Sequence, residues 1–417
     1  VAIKGKINNG NNFVNSALLK GASGAIRSTT LNNKKNTYYF KNTLNFLKLF
    51  GSIKRDLSNS TFIGVTGSSG KTTLKTMIGE VLSNFSSTYV SPKSYNNEFG
   101  VPLSLSNFRI DNKFCIFEIG MSKKGEIHKL SKMVKPNIGI ITNIGEAHLE
   151  NFSSTKDIAK AKAEIIDNID SNGHIILNRD DKFYHFHKKI AVRKKLKVIS
   201  FGFSKLSDIH VKKIIKNKVI VCHFKKITNF KLANTNKVSI LNLMCCLAVL
   251  KILNLDFNKI LNVFNNSKFL EGRGKIFRVR RYQKIFNLID ESYNANPSST
   301  KNAIENLSKL PAKNKKYLII GDMLELGKKS NDYHKDISNV INKSNVDKTF
   351  TFGQKVLITY KYLDKQKQGN ILQNLSDLDQ LFKNIIQNND YLMIKGSNAT
   401  GVSKFSKTII NGLKNVV

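Results

Sequence analysis

The sequence predicts an α/β protein with a central parallel sheet, a second, doubly wound unit behind it, and a small α/β segment in front. Short apolar runs of strand length recur along the chain, and segments with helical periodicity lie between them. The alternation stops and restarts once, past Gly272-Arg273-Gly274, which points to two separately wound units.

Residues 1 to about 48 read as a short unit opening on a strand-like Val1-Ala2-Ile3-Lys4-Gly5, with a polar stretch at 31–36 that has no core pattern. Because the chain starts at Val1 and not at Met, residues 1–48 are expected to be a partial domain whose true N-terminus lies upstream. The central unit is placed at 49–268, its last element ending near Asn266. It opens with an apolar strand at 62–65, a Gly/Ser turn, and a helix whose Leu74, Met77, Ile78, Val81, Leu82 and Phe85 recur at three- and four-residue steps. Runs at 114–119, 138–141 and 175–177 are expected to lie parallel to that strand. The C-terminal unit, 269–417, takes strands at 285–289, 317–320, 349–352 and 391–394, each followed by room for a helix. These strands end at Asp290, Asp322, Gly353 and Lys395. Open α/β sheets bind ligands at such ends, so the two units are expected to face each other across a cleft.

A chain of 417 residues with 41% hydrophobic content can fill two or three domain cores. It contains no apolar run near the ~18 residues that span a bilayer and no secretory signal at its start, so a soluble cytoplasmic protein is expected. The four cysteines have no metal-ligand spacing and read as buried reduced thiols. The net charge of +39 raises nucleic-acid binding, but the lysines are spread over the whole length and form no arginine-rich, aromatic-interleaved stripe. A solvated lysine surface is the better reading, and its field would steer an anionic nucleotide inward.

The chemistry concentrates in Thr66-Gly67-Ser68-Ser69-Gly70-Lys71-Thr72-Thr73, between the first central strand and its helix. The glycines let backbone N–H groups turn toward phosphate oxygens, Lys71 can reach the β and γ phosphates, and the Thr72 hydroxyl can hold Mg²⁺. The usual longer loop would have Gly at position 65, where this chain has Val65, so this is the shorter TGxxGKT variant. Glu118, closing an apolar strand, is placed to hold the same cation; without the loop nearby it would pass for an ordinary strand-end carboxylate.

The motif resembles the ATP loop of the Mur ligases and of the related folylpolyglutamate synthases. Ser94-Tyr95-Asn96-Asn97-Glu98-Phe99-Gly100-Val101-Pro102, Glu118-Ile119-Gly120, the block from Thr142 through His148 to Glu150, and Ala161-Lys162-Ala163-Glu164-Ile165 follow in that family's order. Asp290-Glu291-Ser292-Tyr293-Asn294-Ala295-Asn296-Pro297, Gly321-Asp322-Met323-Leu324-Glu325-Leu326-Gly327 and Lys395-Gly396-Ser397 are similar to its D-alanyl-D-alanine-adding branch.

The resemblance implies a P-loop-type ATPase domain in the centre and a Rossmann-like domain at the C-terminus. It implies an ATP- and Mg²⁺-dependent ligase of peptidoglycan-precursor synthesis, monomeric and without nucleic-acid or membrane insertion, that joins D-alanyl-D-alanine to UDP-N-acetylmuramoyl-tripeptide through an acyl phosphate. Lys71, Glu118, His148 and Lys162 become the catalytic set, with Thr72, Glu118, His148 and a carbamylated Lys162 around the metal. Without the family's register, His148 would be a lone histidine and Lys162 a helix-surface lysine. Asn242 and Asn294 or Asn296 are expected near adenine, Asp290 at ribose and Arg273 near phosphate. Asn96 and Asn97 are expected at the UDP-muramoyl substrate, and Asp322 and Lys395 at the dipeptide or the reacting phosphates. The family often carries a Gly and a His where this chain has Asn236 and Val238, just ahead of Asn242. The short start implies an incomplete uridine pocket and weak acceptor binding. A diaminopimelate- or lysine-adding ligase or a folylpolyglutamate synthase shares the ATP loop, and a basic nucleic-acid-binding ATPase is the alternative of another class.

Overall fold

The computed structural model describes residues 1–5, 8–29, 35–265 and 272–411. The expected junction at 266–269 therefore lies outside the described residues, as does most of the polar stretch at 31–36.

The N-terminal segment is small. A helix at Val14–Leu19 accompanies two short parallel strands, Ala25–Arg27 and Thr37–Tyr39, over a core of Ala2, Val14 and Ala25. Residues 1–5 do not form the expected strand: Lys4 makes one isolated bridge to Asn9, and the Ala2 N–H donates to Ile26 O at 2.8 Å. With only Ala2 among them buried, the segment has no apolar face to hold a ladder.

The expected boundary at 48/49 falls inside a helix, Thr43–Asp56, capped by the Asn42 side chain accepting from the Asn45 N–H. The whole helix packs on the central unit. Gly51 lies so close to the helix Gly100–Asn107 that a Cβ there would come 2.9 Å from Leu105 Cβ. Arg55 donates from Nε to Val134 O and from Nη2 to Lys135 O, each at 2.7 Å, and stacks 3.9 Å from the centre of the Phe62 ring. It thereby satisfies carbonyls at the end of the helix Glu126–Val134. Arg55→Ala is expected to lower stability by about 2–3 kcal/mol, the cost of leaving such groups unpaired. Urea titration should show a lower midpoint at unchanged slope.

Among the described residues the central sheet has nine strands. Thr61–Thr66 lies between Phe114–Glu118 and Ile138–Ile141; Thr88–Val90 closes one side, and His174–Asn178 and Lys197–Gly202 extend the other, all parallel. Connections thus leave Thr61–Thr66 in opposite directions, which makes its C-terminal end the switch point where such sheets bind ligands. Two buried clusters cover the two faces. The phosphate-loop helix, Lys71–Leu82, and the apolar helix Lys237–Ile252 lie over one face, and Glu126–Val134 and Thr155–Ala163 over the other. The sheet is not wholly parallel: Ile209–Ile215, Lys218–His223 and Lys226–Lys231 add an antiparallel meander at its edge. Only Lys218–His223 alternates; residues 212–215 of the first strand are exposed and Phe230 alone is buried in the last, so no continuous apolar run marks them.

Among the described residues the C-terminal sheet has six strands. Lys284–Glu291, Tyr391–Lys395, Lys316–Gly321, Lys348–Phe352 and Gln368–Ile371 are parallel, and Lys275–Arg281 pairs antiparallel at the edge. The helices Pro297–Ser308 and Ser330–Asn342 cover one face, and Asp377–Asn384 and Ser403–Asn411 the other, as doubly wound topology requires. Among the described residues no helix is long and apolar enough to cross a membrane.

Candidate active site

A cleft of about 1900 Å³ lies where the C-terminal strand ends of both large sheets face each other. It is lined by Ser68, Ser69, Gly70, Lys71, Thr72, Thr73, Asn96, Asn97, Glu118, His148, Lys162, Asn242, Arg273, Asn294, Asn296 and Lys395, together with much of their surroundings. Of the residues singled out in the sequence, Thr66, Gly67, Asp290 and Asp322 do not line it.

The loop is stitched to the segment after Ile138–Ile141. The Ser68 N–H donates to Asn143 O at 2.9 Å, the Ser69 N–H to Asn143 Oδ1 at 3.0 Å, and the Thr142 hydroxyl to Ser69 O at 2.8 Å. Gly67, at φ +148°, allows this closeness, because a Cβ there would fall 1.8 Å from Thr142 Oγ1. Gly70, in left-handed conformation, turns the chain into the helix starting at Lys71, whose first N–H groups have no intrahelical acceptor. The Lys71 ammonium donates to Gly67 O at 2.9 Å. Gly67→Ala is expected to force the loop off Thr142 and lower ATP affinity at least tenfold, measurable by calorimetry, while the distant C-terminal sheet keeps its fold.

Glu118 is 1% exposed and fully engaged. Its carboxylate accepts from Thr72 Oγ1 and from Asn96 Nδ2, each at 2.7 Å, and the Lys75 ammonium lies 3.4 Å away. Burial alone would raise its pKa; Lys71 and Lys75, with the two donors, outweigh that and hold it below the usual carboxylate range. Lys75 was not singled out in the sequence. It also donates to Lys93 O at 2.5 Å and is buried on the same helical stripe as Ile78 and Leu82. A lysine on the core stripe of an amphipathic helix was the available signal.

Lys162 comes off the helix Thr155–Ala163 and is 1% exposed. Burial, and then the charge of Lys71, push its pKa well below that of an ordinary lysine, and among the described residues no carboxylate pairs with it. His148 sits at φ +59° beside the loop. Asn178, Asp180 and Asp181, just past the strand His174–Asn178, were also overlooked. Asp181 accepts from the Ile144 N–H at 2.7 Å and Asp180 from the Phe203 N–H at 2.7 Å, bracing the cleft wall. An Asn-Arg-Asp-Asp run at a strand's C-terminal end was the signal.

From the C-terminal side, Arg273 donates from Nη2 to Thr72 Oγ1 at 3.0 Å and lies 4.3 Å from the centre of the Tyr293 ring. Lys395 is buried, donates to Asn294 O at 2.7 Å and lies 3.4 Å from Glu291; burial lowers its pKa. Asn242 lines the cleft with a buried amide nitrogen that has no partner among the described residues. Asn296 caps the helix Pro297–Ser308, accepting from the Ser299 N–H at 2.8 Å, and Asn97 accepts from the Gly100 N–H at 2.9 Å, so both also serve local structure. Asp290 and Asp322 lie behind the cleft lining. The Asp290 carboxylate is buried under Gly272 and Ser292, accepting from the Gly272 N–H at 2.9 Å and from Ser292 Oγ at 2.6 Å. Asp322 accepts from the Val356 N–H at 2.8 Å. Asp290 thus braces the segments at Gly272 and Ser292, and Asp322 the segment at Val356 that follows the neighbouring strand.

The donor set at Thr72 and Glu118 suits a hard cation such as Mg²⁺, which binds through one or two carboxylates and completes its shell with phosphate and water. Among the described residues no group of three or more His, Cys, Asp and Glu could hold a metal ion.

Comparison with known proteins places these features. Residues 65–250 match the family model described as the Mur ligase middle domain, and residues 277–398 that of the Mur ligase glutamate ligase domain. A UDP-N-acetylmuramoyl-tripeptide–D-alanyl-D-alanine ligase of Rickettsia prowazekii is 30% identical over 421 residues, covering 97% of this chain and 90% of its own. MurF from Acinetobacter baumannii superposes with a TM-score of 0.85 at 25% identity, covering 98% of this chain and 90% of its own. MurF ligase from Thermotoga maritima in complex with ADP gives a TM-score of 0.83 at 25% identity, covering 99% and 94%.

Proposed function

Since the chain belongs to the Mur ligase family, we propose that it is the cytoplasmic, ATP-dependent ligase that joins D-alanyl-D-alanine to the free carboxylate of UDP-N-acetylmuramoyl-tripeptide. The observation that carries this is the single cleft into which the phosphate loop, Glu118 and Lys162 project from one unit and Arg273, Asn294 and Lys395 from the other. A ligation of this kind must bring a carboxylate against a triphosphate, and two anions approach only where cations neutralise both.

In this reading the N–H groups at the start of the phosphate-loop helix and the Lys71 ammonium hold the β and γ phosphates. The Asn242 amide offers its free N–H to the base, and Asn294 or Asn296 its other edge. Arg273 closes over the phosphates from the second unit, and Lys395 neutralises the acceptor carboxylate or the departing phosphate. Mg²⁺, held by Thr72 and Glu118 with His148 at a second position, would draw charge from the phosphate oxygens. Lys162, kept neutral by burial, is a free amine able to add to CO₂: the nitrogen lone pair forms the C–N bond, a proton leaves, and a carbamate anion replaces an amine. Asn96 orients Glu118, and with Asn97 edges the side of the cleft proposed for the muramoyl acceptor. Asp290 and Asp322 act through the loops they brace. The acceptor carboxylate oxygen attacks the γ phosphorus as the bond to ADP breaks; the dipeptide amine then attacks the acyl carbon, and phosphate leaves.

A phosphate-release assay across UDP-muramoyl peptides and candidate amines tests the reading. Turnover is expected only with the tripeptide acceptor and D-alanyl-D-alanine together; turnover with a free amino acid or a folate in their place contradicts it.

A further inference from the structure

The Gly321–Gly327 segment carries a second acidic residue, Glu325, that the proposed mechanism does not use. It belongs to the C-terminal unit but reaches the central one: Glu325 Oε2 lies 2.6 Å from His148 Nδ1, and Glu325 O accepts from the Glu150 N–H at 3.2 Å. Among the described residues His148 Nδ1 has no partner besides this carboxylate. Both residues are held in the left-handed region, His148 at φ +59° and Glu325 at φ +63°. Non-glycine residues rarely sit there and persist only where their surroundings over-determine them, often at functional sites. Gly327 seals the contact, since a Cβ on it would come 3.0 Å from Glu150 Cα. Three features therefore bring one residue of each unit together: paired unusual backbones, an inter-unit backbone bond and a close carboxylate–imidazole approach.

A histidine that offers one ring nitrogen to a cation is oriented by a partner on the other nitrogen, commonly a carboxylate. Here that carboxylate is supplied from across the cleft. The geometry points to Glu325 as the positioning residue for His148: it fixes the imidazole with Nδ1 turned away and Nε2 free for a divalent cation, only when the two units are closed on each other. Capture of the cation is thus coupled to closure of the cleft. This rests on the reading of the cleft as a nucleotide–metal site.

The test uses the full chain with Mn²⁺ and the non-hydrolysable analogue AMP-PNP, reading bound Mn²⁺ by electron paramagnetic resonance. In Glu325→Ala, Mn²⁺ affinity is expected to fall about 10- to 100-fold, as for other partners of metal-bound histidines. Metal-free AMP-PNP affinity and the thermal midpoint stay as in the parent chain. Glu325→Gln, which keeps an acceptor oxygen but no charge, falls between the two. Unchanged Mn²⁺ affinity in the alanine variant, or in the glutamine variant should alanine not fold, overturns the inference. Failure of the parent chain to bind Mn²⁺ beside AMP-PNP removes the metal reading of the cleft, and this inference with it.

Discussion

Lys71→Ala is expected to fold as the parent chain does and to lose turnover by about 10²- to 10³-fold, the usual cost of removing one charged contact to a transferring phosphoryl group. The position supports both halves of that statement. Lys71 opens its helix and, among the described residues, its ammonium donates to Gly67 O within its own loop and to no core group. Its charge also lowers the pKa of Glu118 and that of Lys162, so its removal disturbs both of these groups. Steady-state phosphate release alongside a thermal melt separates the outcomes. Near-parent turnover with the same melt would remove the loop from the reaction.

Lys162→Ala is expected to be as damaging to turnover, by at least about 10²-fold, yet without cost to stability. An amine buried without a carboxylate partner among the described residues is unfavourable in the fold, so its truncation relieves desolvation as it opens a cavity. Small carboxylates such as formate or acetate should occupy the space of the carbamate and restore part of the activity. Full activity in the unrescued variant would show that Lys162 is only a core lysine. A loss of activity matched by a loss of thermal stability, and insensitive to carboxylates, would point to packing.

Much of this arrangement was legible in the sequence because its signals are local. The runs at 62–65, 138–141 and 391–394 are buried on both faces, so apolarity alone marks them, and the glycines of the phosphate loop announce the turn between strand and helix. The antiparallel meander between Ile209 and Lys231 was not legible, since its strands are largely exposed, with lysines among their apolar residues and few buried positions. The helix Thr43–Asp56 was cut at 48/49 because nothing local shows that Gly51 and Arg55 face the helices Gly100–Asn107 and Glu126–Val134. In the cleft, the side chains proposed to meet phosphate sit in motifs that can be read locally, while those that orient them do not. Lys75 sits on a helix stripe and Asp181 past a strand end, and only tertiary packing turns them toward Glu118 and the His148 segment. Asp290 shows the complementary case: a strand-end carboxylate looks like a ligand group in sequence, and only the fold brings the Gly272 and Ser292 N–H groups onto it.

The most direct test of the central claim follows the acceptor's oxygen. With ATP, D-alanyl-D-alanine and UDP-N-acetylmuramoyl-tripeptide labelled with ¹⁸O in its free carboxylate, an acyl phosphate transfers one carboxylate oxygen to the phosphate released as the amide forms. Mass spectrometry is predicted to show the pentapeptide product together with phosphate carrying a single ¹⁸O. Phosphate without label, or ATP hydrolysis with no pentapeptide, would contradict the account.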